Sequence, residues 1–180
     1  METEAYRETL VAALRERGIA YLAPSDTSAN DAPALAASEL IARLATQDDA
    51  RLVLSLIPLF ILHPECASEV PQVAAVLNDQ PRIALIACYM AAVYLQRLWG
   101  VRLGFYMQAV PPLPDWFSSE IGLPSPDVRY GKVGLHALAE WHAAQSPFPF
   151  NWLASYQRVM DQLFEQFKQE AHQRERASAG

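Results

Sequence analysis

The apolar residues of this chain follow a helical period almost throughout, interrupted by two segments with no polar face. Over residues 3–17, Tyr6, Leu10 and Leu14 share one face, Arg7, Arg15 and Arg17 fall elsewhere, and Gly18 follows as a helix-ending residue. Residues 23–33 (APSDTSANDAP) are rich in turn formers and read as a loop. Asp31 then suits the cap of a helix over about 32–45, in which Ala37, Leu40, Ile41 and Leu44 line up. The two unbroken apolar segments are Leu52–Leu62 and Ile83–Leu95. A helix apolar on all sides must be covered on all sides, and both segments fall short of the roughly 20 apolar residues that cross a bilayer. They predict two buried central helices.

Prolines punctuate this pattern. Asp48 or Asp49 caps the first buried helix, and Pro58 inside it predicts a kink at that residue, because an interior proline removes a hydrogen bond and crowds the preceding turn. Pro64 and Pro81 suit first-turn positions of new helices, with a break near Pro71 between them. Ala84, Ala87, Cys88, Ala91 and Ala92 give the second buried helix small patches where neighbours can approach closely. Residues 101–110 fit strand alternation (Val101, Leu103, Phe105, Met107, Ala109) and helical spacing (Leu103, Tyr106, Met107, Val110). With few strand partners elsewhere, helix is the expectation.

Five prolines between Pro111 and Pro126 predict a rigid crossover with a short helical turn near Trp116–Ile121. Helices over about 132–144 and 151–171 complete the pattern. The second carries the apolar stripe Trp152, Tyr156, Val159, Leu163, Phe164 and Phe167. The sum is an all-α, single-domain helical bundle of about seven helices over residues 1–172, with a polar, frayed tail at 173–180.

Composition narrows the function classes. Hydrophobic residues make up 52% of the 180 and charged residues 19%, a globular balance for one domain. A net charge of −6 argues against sequence-independent nucleic-acid binding and against anionic membranes, both of which draw on clustered Lys and Arg. The charged N-terminus (METEAYRETL) has no secretory apolar core, and Cys66 and Cys88 lie in apolar helical sequence as reduced thiols, so the expected location is the cytoplasm.

Candidate chemistry is sparse. His63-Pro64-Glu65 matches half of the zinc-deaminase signature, but the P-C-x-x-C half is missing. His136, Glu140 and His142 cluster in the linear sequence. On a helix, though, His142 joins Leu135 and Leu138 on one face while His136 and Glu140 occupy another. Arg129 and His136, with six residues between them, resemble the Arg-x(4–6)-His spacing of HEPN ribonucleases, which are all-α. Gly131 and Gly134 intervene where that arrangement wants a continuous helix, and no catalytic role is carried over. G-x-S-x-G, Walker A and G-x-G-x-x-G patterns are absent.

The expectation is therefore no cofactor, no metal site and, on balance, no enzyme. The leading sequence reading is a non-enzymatic interaction or accessory subunit, self-associating as a homodimer or held by another protein. Its anchors would be Trp116 and Phe117 of the crossover and Trp152, Tyr156, Phe164 and Phe167 of the last helix. Two alternatives remain: a small-molecule-binding regulatory domain with a pocket between helices, and a metal-dependent or nuclease-like enzyme using His63, His136 or Glu140.

Overall fold

A computed structural model of the chain describes residues 2–22, 34–147 and 149–179. The first helix, α1 (Glu2–Glu16), ends as its sequence predicts. Gly18 takes a left-handed φ of 79°, and the amides of Gly18 and Ile19 bond back to the carbonyls of Arg15 (2.9 Å) and Leu14 (3.0 Å). The next helix, α2 (Ala37–Ala45), buries Leu40, Ile41 and Leu44. It begins at Ala37 rather than near residue 32, and the expected Asp31 cap lies outside the described residues.

The first apolar segment forms two short helices, α3 (Ala50–Leu54) and α4 (Leu56–Leu62), divided at Ser55. Asp49 caps α3 through a bond from the Arg51 amide (2.9 Å). The break thus falls three residues before Pro58, not at it. A proline ring collides with the carbonyl four residues earlier, here Leu54, so the helix yields there. Pro58 is left in the first turn of α4, where a missing N–H has no consequence. A tight helical turn, Pro64–Glu69, leads into α5 (Val70–Val76).

The second apolar segment is the axis of the molecule. It runs as α6 (Asp79–Leu98), and every residue from Leu85 to Gln96 is buried. Helices α2, α3, α4 and α5 pack on it, as do α7 (Gly100–Tyr106) and α8 (Lys132–Gln145). Ala87, Cys88, Ala91 and Ala92 are fully covered, as their small size anticipates. The last helix, α9 (Trp152–Ser178), continues past the expected end near residue 171 through the polar segment, with exposed side chains there. Among the described residues all regular structure is helical. No single helix among them is long and apolar enough to cross a membrane.

The crossover between α7 and α8 hangs on three buried polar side chains of α6. Tyr89 donates to the carbonyl of Pro114 (2.6 Å) and Tyr94 to that of Pro124 (2.8 Å). Gln96 donates to the Pro111 carbonyl (2.9 Å) and accepts from the Leu113 amide (2.8 Å). The segment around Trp116–Ile121 is turn rather than helix, organised by Asp115, whose carboxylate accepts from the Ser118 amide and hydroxyl.

Where the crossover meets α8, Arg129 (φ 46°), Tyr130 (φ 55°) and Gly131 (φ 81°) are all left-handed. Gly131 lies so close to α6 that an added Cβ would sit 2.5 Å from the Tyr94 carbonyl oxygen. By contrast Gly122, also left-handed at φ 71°, has open space around it. Gly122→Ala should therefore cost only the left-handed strain, about 1–2 kcal/mol. Gly131→Ala adds a backbone collision that nothing flexible can relieve, and should cost at least ~3 kcal/mol. Urea denaturation of the two variants checks the difference.

Candidate functional site

The ends of several helices converge around His142. It lies in the last turn of α8, on the face with Leu135 and Leu138, and is 5% exposed. Asn151 caps α9 by accepting from the Ala154 amide (3.0 Å), and this fixes the start of that helix beside the end of α8. Trp152 and Tyr156, one turn apart on α9, then meet the histidine. The indole stacks on the imidazole with ring centres 3.6 Å apart and planes 16° from parallel. The Tyr156 hydroxyl lies 2.7 Å from Nδ1. Stack and hydrogen bond together hold the ring in one orientation.

Burial sets the electrostatics. It pushes the His142 pKa down to about 4 and holds that of Tyr156 well above the usual phenol range, with the nearby Cys88 thiol adding to the latter. Cys88 itself is pushed up to about 12 by burial, and its thiol faces the Val53 carbonyl at 3.5 Å. All three groups are neutral at pH 7. Among the described residues Tyr156 has one hydrogen-bonding partner, Nδ1 of His142. The hydroxyl proton therefore goes to Nδ1, and the ring proton sits on Nε2. That nitrogen has no protein partner among the described residues. Nε1 of Trp152, by contrast, is buried without one.

His142 and Trp152 form one wall of a cleft of about 280 Å³. The opposite walls come from the end of α2 and from α3 (Thr46, Gln47, Asp48, Val53, Leu54) and from the first turns of α6 (Gln80, Pro81, Ile83, Ala84). Ser146 closes the α8 side. Val53, Leu54, Pro81, Ile83 and Ala84 give the cleft its apolar surface, and Thr46, Gln47, Asp48, Gln80, Ser146 and His142 line it with polar groups.

The remaining sequence candidates are dispersed. His136 and Glu140 are exposed on α8, on the opposite side from His142, as their helical spacing anticipated. His63 donates through Nε2 to the Arg17 carbonyl (2.8 Å) and holds the Glu65 carboxylate at Nδ1 (3.0 Å), so its ring braces the end of α1. No contact joins it to His136 or Glu140 among the described residues. No group of three or more His, Cys, Asp or Glu among the described residues is placed to hold a metal. Arg129 lies ahead of α8 in left-handed backbone, so it and His136 do not share a helix.

The aromatic residues expected at an interface are largely occupied within the chain. Phe164 and Phe167 are buried beneath α7, which folds back over them. Tyr106 stacks on Phe167 at 5.2 Å, Trp99 meets Phe164 edge-on at 5.7 Å, and the Arg102 guanidinium lies 3.9 Å above the Phe164 ring. Tyr156 belongs to the histidine pair, and Phe117 packs edge-on against Tyr89 at 6.0 Å. Trp152 is half-buried in the cleft wall. Trp116 remains 45% exposed, with its indole N–H bonded to the Ala67 carbonyl (3.2 Å). The stripe on α9 is thus a core surface, because the ambiguous segment after Gly100 folds as a helix that covers it.

The chain matches no protein-family model, no curated protein and no solved structure, so the geometry alone carries the functional argument.

The buried imidazole makes stability depend on pH. Its pKa falls from the ordinary 6.5 to about 4 on folding. The unfolded chain therefore takes up a proton first as pH drops, and stability present above pH 6.5 is lost down to about pH 4. The loss should be about 3 kcal/mol. His142→Gln keeps an acceptor for Tyr156 but cannot titrate. The difference in unfolding free energy between wild type and this variant should shrink by that amount over the interval.

Proposed function

We propose that this chain is a non-enzymatic helical domain that binds a small molecule in the cleft between α2, α3, α6, α8 and α9. The observation that carries the reading is His142. It is a 5% exposed imidazole, locked through Nδ1 and by stacking, in a cleft wall with Nε2 unmatched by protein. Beside it Nε1 of Trp152 is buried with no partner among the described residues, where buried polar atoms nearly always find one, and ligand sites combine apolar walls with a few fixed polar groups. Catalysis by the same pair is disfavoured. A general base works best with a pKa near the operating pH, and burial drives both His142 and Tyr156 away from neutrality.

Ala84→Phe should fill the cleft, since Ala84 lines it from α6 and is only half-covered. In a thermal-shift survey of a chemically diverse fragment set, wild type should give stabilising hits that vanish in this variant, with its unliganded midpoint within a few degrees of wild type. Absence of hits, or hits indifferent to the substitution, would overturn the reading.

Association through a protein surface is a second reading, favoured by one observation. Val101 and Phe105, one turn apart on α7, are 96% and 83% exposed. The opposite side of that helix is anchored by buried Leu103 and by Arg102 over Phe164, so the two side chains are rigidly displayed. If the chain self-associates here, the double change Val101→Ser with Phe105→Ser should convert a dimer to a monomer in sedimentation without altering the circular dichroism. A wild type that sediments as a monomer at micromolar concentration removes this reading.

A further inference from the structure

From the hydrogen-bond polarity and charge of the cleft, we infer that its ligand is an uncharged molecule offering a hydrogen-bond acceptor, such as a ketone carbonyl or ring nitrogen, on an apolar or aromatic frame. This rests on the ligand-binding reading above and adds the chemistry of the occupant. Tyr156 fixes the polarity. Its hydroxyl proton has only Nδ1 of His142 to go to, so Nε2 carries hydrogen and presents a donor.

The charge of the occupant follows from the lining. No Lys or Arg lines the cleft, and its one carboxylate is the exposed Asp48. An anion would find no counter-charge and would face Asp48. A cation would meet the Nε2–H donor at the buried wall and would have to give up most of its hydration against Val53, Leu54, Ile83 and Ala84. A neutral acceptor satisfies Nε2 and lays its frame on those apolar walls. The size fits, since about 150 Å³ already accommodates benzene in an apolar protein cavity and this cleft offers about 280 Å³.

Tyr156 is then a positioning residue, acting on the ligand through His142. Tyr156→Phe preserves the packing, removes the proton given to Nδ1, and frees the ring to place its own proton on either nitrogen.

The test compares three probes of one frame: acetophenone (neutral acceptor), benzoate (anion) and benzylamine (cation). Each is titrated into the full chain with ¹⁵N-labelled histidine and tryptophan and followed by NMR. The His142 ring should show a protonated Nε2 and a bare Nδ1 in the free protein. Acetophenone should move the His142 and Trp152 ring signals, with both charged probes at least about fivefold weaker, the factor expected for one neutral hydrogen bond. In Tyr156→Phe the His142 nitrogens should shift to a mixture of tautomers, and acetophenone should weaken by about the same factor.

Equal or tighter binding of a charged probe at the same signals would overturn the inference and leave the ligand-binding reading standing. A free protein with the proton on Nδ1 would do likewise. If none of the probes moves these signals at its solubility limit, the inference fails, and the fragment survey with Ala84→Phe decides the broader reading separately.

Discussion

The fold depends on a reciprocal constraint between α6 and the proline-rich crossover. Proline lacks an N–H, so a segment with five prolines in sixteen positions cannot satisfy its carbonyls through regular structure of its own. A helix buried on every side, conversely, has nowhere to place polar side chains unless a neighbour supplies partners. Tyr89, Tyr94 and Gln96 of α6 resolve both problems by donating to the carbonyls of Pro114, Pro124 and Pro111. Once the crossover is tied down, Leu113 and Phe117 enter the core and the Arg129–Gly131 turn is pressed against Tyr94. Gly134 continues the same contact, since a Cβ there would come within 2.1 Å of the Tyr94 ring. The start of α8, and with it the placement of His142, follows from the side of α6 to which the crossover is strapped.

The second coupling runs through aromatic rings at the other end of the bundle. Helix α7 turns back at Gly100, and Arg102 and Tyr106, with Trp99 just ahead of the helix, cover Phe164 and Phe167 of the α9 stripe. A cation over an aromatic face contributes about 1 kcal/mol or more when partly desolvated, and edge-on or stacked ring pairs add comparable amounts. The stripe divides as a result. Phe164 and Phe167 are assigned to α7, and Trp152 and Tyr156 are left to α8 and the cleft. Length and amphipathicity of α9 reveal that it has an extended apolar face, but not that two different neighbours share it.

That division marks how far the sequence is legible. The two unbroken apolar runs are enough to identify the central helices, because continuous hydrophobicity admits only burial. The Gly18 stop, the Asp49 cap and the opposite faces of His136 and His142 all follow from local chemistry or from 100° per residue. Long-range pairing is what local patterns leave out. Pro58 is visible, yet the break it causes appears at Ser55, because the strained contact lies a turn upstream. The α7 segment satisfies both periods, and its glycines stand in open space, so neither sequence pattern nor tight packing at glycine decides its form. Within the site, the apolar face of α8 marks His142 as a core-edge residue. Its partner on α9, fourteen residues further along the chain, emerges only once the two helices are seen side by side. The available signal was weaker: a histidine on an apolar face requires a polar partner, and a tyrosine on the next helix is chemically suited to be one.

The cleft is best understood as a place where the packing stops short. Between Leu85 and Leu95 α6 is fully covered, yet the ends of five helices leave beside its first turns a space walled by a histidine rather than by a leucine. An apolar residue at position 142 would avoid the free-energy penalty of holding imidazole neutral, and would not require Tyr156 to turn its hydroxyl inward. What the histidine adds is direction. A leucine would offer a surface with no orientation, whereas a locked imidazole offers one donor along one line. The stacking indole and the inward phenol keep that line fixed, and both also pack in or against the core. The His142–Tyr156 bond satisfies two buried polar groups at once, and on the ligand-binding reading proposed above the same bond aims the free nitrogen at a molecule seated in the cleft.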